Sequence, residues 1–276
     1  MAKALVLGGG GITGIAWETG MIAGLAEAGI DLTTADVVVG TSAGSAVGAQ
    51  ILSGAKIEDL YAEQLADASA ERATRMGLGV YVRFILTGLW PGDETRARAR
   101  LGRSALRTIS VPEDERRRVF ENRLRLRTWP ARRLLIVAVD AKSGETRVFD
   151  AASGVSIVDA VAASCAVPLV WPPMTIDGHR YMDGGTRSIT NADLAVGCDQ
   201  VVVLAPVIVA MRRSGRISAQ LAGLGAGVRS TVVSPDAAAR GAIGRNVLDP
   251  ARRAPAARAG WDQAAEVAAS IRSVWL

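Results

Sequence analysis

With 276 residues, 49% of them hydrophobic and 21% charged, the chain carries enough apolar material for one large core and is excluded from the disordered classes. The formal charge of +5 is concentrated in residues 93 to 133, which hold thirteen arginines against six acids. Aromatics make up only 4% of the chain and no zinc, KH or RRM pattern accompanies that run, so a nucleic-acid partner is not expected.

In chain order, Lys3-Ala-Leu-Val-Leu7 predicts a first central strand that ends in Gly8-Gly9-Gly10-Gly11. A helix is expected from Ile15 to Ala28, with Glu18 near its first turn, where a carboxylate suits the helix dipole. Val37-Val38-Val39 predicts a buried strand, and an apolar helix is expected from Ala46 to Leu52. Two strand-helix units in succession imply an α/β fold with a parallel sheet. Residues 56 to 73 predict an outer helix, and the glycine-punctuated apolar run 76 to 92 predicts a core segment. Arg96, Arg100, Arg103 and Arg107 fall at helical spacing and share one face, a solvated surface or one suited to anionic lipid. Strands are then expected at 133 to 140 and 146 to 149, a helix at 158 to 165, a turn at Asp177-Gly178 and a late strand at 201 to 205. Residues 206 to 260 lack clear periodicity, and a final helix capped by Asp262 is expected over 262 to 275. The absence of a linker argues for a single domain over 1 to 276. Cys165 and Cys198 lie in apolar surroundings and predict two buried thiols in a reducing, cytoplasmic setting. The N-terminus lacks the apolar core of a signal peptide, and no stretch reaches the length of a membrane span.

The chemistry concentrates in three places. Gly40-Thr41-Ser42-Ala43-Gly44 follows a strand and precedes a helix, the setting in which a sharp bend exposes a serine hydroxyl, so Ser42 is the candidate nucleophile. Its base is constrained by the histidine count: the chain has one, His179, and its neighbours Asp177-Gly178 read as a turn rather than a buried pocket. A carboxylate is the other choice. Asp183 ends a strand-like segment, is followed by two glycines, and is expected to be ionised near its ordinary pKa of about 3.9. The amides of Gly9, Gly10 and Gly11, at a strand end that opens into a helix, supply a candidate oxyanion hole. The same glycines satisfy a dinucleotide fingerprint, but Asp31 and Asp36 both fall outside the position expected of a ribose-binding acid.

Together Gly9-Gly10-Gly11-Ile12-Thr13-Gly14, Gly40-Thr41-Ser42-Ala43-Gly44 and Asp183-Gly184-Gly185 resemble the three ordered signatures of the patatin-like phospholipase family. The block Ala163-Ser164-Cys165-Ala166-Val167-Pro168, with Pro172-Pro173 after it, resembles the segment ahead of that family's aspartate. The resemblance spans about residues 3 to 205, leaving 206 to 276 as a C-terminal helical extension. It implies a three-layer α/β fold, with a mostly parallel sheet and helices on both faces. It also implies a serine acyl hydrolase with a Ser42-Asp183 dyad, the Gly9 to Gly11 amides as oxyanion hole and no cofactor or metal. The implied partners are phospholipid, lysophospholipid or another fatty-acyl ester, with peripheral contact at an anionic membrane surface. Thr13 stands where the family motif generally carries Arg or Lys, which leaves a weakly active or non-catalytic lipid- or protein-binding module as the alternative.

Overall fold

The computed structural model describes residues 1–66, 92–107, 111–210 and 212–276. The buried Val/Leu/Ala runs assemble into one sheet of eight strands: β1 (Lys3–Leu7), β2 (Val37–Thr41), β3 (Arg133–Asp140), β4 (Thr146–Phe149), β5 (Met174–Ile176), β6 (His179–Asp183), β7 (Gln200–Leu204) and β8 (Arg229–Val233). The order is β5-β6-β3-β2-β1-β7-β8, with β4 also paired to β3. Strands β3, β2, β1, β7 and β8 run parallel, while β4, β5 and β6 are antiparallel. The parallel strands inside the edge strand β8 are buried on both faces, which is why β1 and β7 read as unbroken apolar runs. Between β5 and β6, Asp177 and Gly178 both take positive φ (50° and 78°), the backbone of a tight hairpin turn.

The helices are α1 (Gly11–Glu27), α2 (Ala43–Ile51), α3 (Ile57–Leu65), α4 (Glu94–Ala105), α5 (Glu113–Arg123), α6 (Ile157–Ser164), α7 (Ile217–Ala222), α8 (Ala237–Ile243) and α9 (Arg253–Trp275). Core side chains form two large clusters: one holds Leu5, Leu7, Trp17, Val38 and Trp275, the other Ala4, Val6, Val39, Val201 and Val203. Alternate residues of β1 thus point to opposite layers, the geometry of a sheet covered on both faces. Arg96, Arg100, Arg103 and Arg107 are all exposed, while Ala97, Leu101 and Ala105 of the same segment are buried.

Three expectations change. The helix after the glycines begins at Gly11 instead of Ile15, so Glu18 lies well inside it and is fully buried rather than facing the dipole at its start. The tail carries β8, a parallel edge strand on β7, besides its helices, so 206 to 276 is more than a helical extension. Its last helix starts at Arg253, which places Asp262 in mid-helix and not at a cap. The long contact between α1 and α9 explains that length: Trp17 Nε1 donates to Gln263 Oε1 at 3.0 Å, and Trp275 Nε1 to the Asp31 carbonyl. The outer-helix reading is matched over 57–65; residues 67–73, and the core segment expected over 76 to 92 save Gly92, lie outside the described residues.

Candidate active site

Sheet register brings the candidate residues together. Leu7 of β1 pairs with Gly40 of β2, so two residues further along both chains Gly9 comes level with Ser42. The fit is close, since a Cβ on Gly9 would lie 3.6 Å from the Ser42 Cβ. On the other side, Thr41 pairs with Val137 of β3, and Ala138 pairs with Asp183 of β6. Ser42, Ala138 and Asp183 therefore stand in one row across three strands, and the small, buried Ala138 leaves their side chains room to meet above it. The Ser42 hydroxyl faces the Asp183 carboxyl closely enough to favour its ionised form.

Ser42 is a strained residue held from several sides. Its φ of 52° and ψ of −116° are unfavourable for a side chain with a Cβ. Its N–H donates to Ser164 Oγ at 2.9 Å, and Ser164 Oγ in turn donates to the Val137 carbonyl at 2.6 Å. Its carbonyl accepts from Ser45 N–H, Ser45 Oγ and Cys165 Sγ at 2.9, 2.6 and 3.1 Å. Two steps on, a Cβ at Gly44 would lie 2.1 Å from the Leu7 carbonyl oxygen, so only glycine lets α2 turn back this tightly against β1. Gly44 N–H donates to the Gly8 carbonyl at 3.0 Å, which ties the serine bend to the glycine loop.

Asp183 is 6% exposed, and burial pushes its carboxyl up to about 6 against the opposing influence of the Ser42 hydroxyl and the Gly185 N–H. Gly185 N–H reaches Asp183 Oδ1 at 2.7 Å. The expectation of an unperturbed carboxylate near 3.9 is thus corrected, the reason being lost hydration. Around it Asn191, fully buried, donates from Nδ2 to Thr41 Oγ1 at 3.0 Å and to the Ser188 carbonyl at 2.8 Å. It thereby joins the loop after Asp183 to the strand end before Ser42. Cys165 is fully desolvated and its thiol is pushed up to about 12, so it serves as a neutral donor rather than a nucleophile. Neither Ser164 nor Asn191 stood out as a site residue in the sequence, because their roles depend on neighbours more than 120 positions away.

The glycine run divides by function. Gly9 N–H already donates to the Ile189 carbonyl at 2.8 Å and Gly8 N–H to the Leu204 carbonyl at 2.9 Å. Gly10 and Gly11 sit at the start of α1, where amides have no intrahelical acceptor, and Gly11 takes a φ of 64°. Thr13 is fully buried, and both its N–H and its hydroxyl point to the Val247 carbonyl, at 3.1 and 3.3 Å. It supplies neither charge nor a hydroxyl to the loop. Glu18 is buried below, near Gly8, and desolvation raises its carboxyl well above the usual range.

His179 lies apart from these groups. Its side chain is 63% exposed, and Nδ1 meets Asp140 Oδ2 at 2.8 Å. Asp140 also accepts the N–H groups of Lys142 and Ser143 at 2.8 Å, so it organises a turn at the strand end. Of the two acids weighed for a nucleotide ribose, Asp31 accepts from Thr33 N–H in its own turn and Asp36 from Lys3 N–H at the start of β1, each at 2.8 Å, so both serve backbone N–H groups. Both cysteines are free thiols. Among the described residues no cluster of His, Cys, Asp or Glu has the makings of a metal site.

A mixed, mostly parallel sheet between helical layers, with a strained serine at a strand-to-helix bend beside a glycine loop, defines the class of patatin-like lipid hydrolases. The chain belongs to the patatin-like phospholipase family, whose sequence pattern matches residues 5–196. Among solved structures it is similar to VipD from Legionella pneumophila, at 16% identity and a TM-score of 0.50, covering 98% of this chain and 67% of that one. It is also similar to the type III effector protein ExoU, at 18% identity and a TM-score of 0.37, where it spans 53% of that chain. At these identities the first likeness speaks to the fold alone. No curated protein sequence matches the chain significantly.

Proposed function

We propose that the protein is a serine acyl hydrolase that cleaves the carboxylic ester of a phospholipid, lysophospholipid or related fatty-acyl ester. The observation that supports this best is the strand register that sets the buried Ser42 and Asp183 in one row on either side of Ala138, with the serine hydroxyl favouring the ionised carboxyl. In this reading Asp183 takes the hydroxyl proton as Ser42 Oγ attacks the ester carbonyl. The tetrahedral oxyanion is held by the amides of Gly10 and Gly11, with the N-terminus of α1 adding its field. Gly9 keeps the loop in place through its bond to Ile189 rather than donating to the oxyanion. Asp183 returns its proton to the departing alcohol, then deprotonates a water that attacks the acyl-enzyme and frees Ser42. The protein acts in the cytoplasm, and the exposed arginines of the α4 segment hold it against an anionic membrane surface. Among the described residues no helix is long and apolar enough to cross a membrane.

Ser42→Ala is expected to abolish hydrolysis of a short-chain ester and labelling by a fluorophosphonate. Turnover that survives the change would overturn the mechanism. His179→Ala is expected to leave turnover nearly unchanged, whereas a collapse would restore a triad centred on His179.

A further inference from the structure

A cavity of about 520 Å³ lies between the start of α1, α2, α3, α5 and the start of α9. Its lining joins two chemistries. Ile12 and Ile15 give it an apolar wall, and Ile12 directly follows Gly11 of the candidate oxyanion loop. The lining also holds three arginines, Arg123, Arg125 and Arg253, and one carboxylate, Glu63, which pairs with Arg125. Arg123 and Arg125 belong to the basic run of residues 93 to 133, and the fold brings Arg253, from the first turn of α9, to the same cavity. Arg253 is also anchored, its guanidinium donating to the Ala66 carbonyl at 2.9 Å.

We propose that this cavity binds the phosphate-bearing head of an acyl ester, with Arg123 and Arg253 on the phosphate oxygens and the isoleucines against the hydrocarbon next to it. Guanidinium groups bind phosphate through paired, charge-assisted hydrogen bonds, and a partly enclosed, low-dielectric cleft strengthens them. The cavity also answers a gap in the loop itself: Thr13 brings no charge there, so recognition of an anionic substrate falls to residues beside it. The inference rests on the acyl hydrolase reading above and adds the substrate's charge and the residues that select it.

The test compares 1-oleoylglycerol with 1-oleoylglycerol 3-phosphate, presented in the same neutral detergent to the full-length protein. The wild type is expected to favour the phosphate-bearing ester in kcat/KM by about tenfold or more, the value of one or two charge-assisted hydrogen bonds. In Arg123→Gln/Arg253→Gln that ratio is expected to fall close to one, through KM for the phosphate ester, whereas Arg123→Lys/Arg253→Lys keeps most of it. Equal kcat/KM for both esters in the wild type, or an unaltered ratio in the Gln variant, overturns the proposal. Inorganic phosphate separates head-group recognition from a free-anion site. Competition against the phosphate ester supports the proposal, and noncompetitive inhibition of both esters overturns it. Calorimetric binding of the phosphate ester to Ser42→Ala reads the site without turnover. Loss of that binding on adding the two Gln changes supports the cavity even if the hydrolase reading fails, and undiminished binding refutes it even if that reading stands.

Discussion

At the scale of single residues the decisive quantity is the cost of burying Asp183. Its carboxyl binds a proton more tightly in the folded chain, near pH 6, than in the unfolded chain, near 3.9. The associated stability is therefore fully present at low pH and is lost as the pH rises through about 6. Two outcomes follow from this sign. The acid limb of kcat/KM is expected to titrate near 6 in the free enzyme, and Asp183→Asn is expected to flatten the fall in urea-unfolding stability between pH 4 and 8 while removing turnover. The gain at pH 8 is expected to be about 1 to 3 kcal/mol. Ser164 offers a separate test, because it takes the N–H of a strained nucleophile candidate. Ser164→Ala leaves that buried N–H without its acceptor, which costs about 1 to 3 kcal/mol. Misplacement of Ser42 is expected to lower kcat by about 10- to 100-fold with little change in KM, measured by steady-state hydrolysis. Neither consequence was legible beforehand: an Asp before two glycines announces its position but not its burial.

At the scale of elements, α1 and α9 form the closest helix pair. A Cβ at Gly260 of α9 would lie 2.2 Å from the Trp17 carbonyl oxygen of α1, and one at Gly20 would lie 2.0 Å from the Ala257 carbonyl oxygen. The atoms in the way are backbone, so the helices must move apart to admit even a methyl group. Gly260→Ala is expected to cost about 1 to 3 kcal/mol in a chemical melt. Because α1 begins at the candidate oxyanion loop, the same variant is expected to lose activity in the folded population. This contact explains why the C-terminal helix escaped a periodicity reading before residue 262. Its inward face up to that point is largely alanine and glycine, Ala256, Ala257 and Gly260, which carry close approach instead of hydrophobic bulk.

For the whole molecule, the arginine excess separates into two populations. Arg96, Arg100, Arg103 and Arg107 lie on an exposed face, while Arg116 is drawn inward. The guanidinium of Arg116 lies 4.0 Å from the Trp171 ring centre, and burial pushes it down to about 10. Arg116 is thereby withdrawn from any surface contact, while the four lie on a face that can meet one. Replacing those four arginines by Gln is expected to weaken sedimentation with anionic vesicles by about 1 kcal/mol per charge and to remove its salt dependence. Binding to zwitterionic vesicles serves as the control. Trp171 thus stacks on Arg116, and Met174 is buried in the core.

By itself the sequence determined the local pieces: apolar runs that had to be buried strands, the bend at Ser42, the glycine loop, and a carboxylate favoured over a lone histidine beside a turn. These are legible because strand burial and tight turns restrict residue type within a few positions. Tertiary structure alone decided which glycine amides stay available, what holds Ser42 in its bend, how far Asp183 is desolvated, and that a strand in the tail completes the sheet. Each of those depends on atoms brought together from distant parts of the chain, and electrostatic and packing energies act through space, without regard to separation along the backbone.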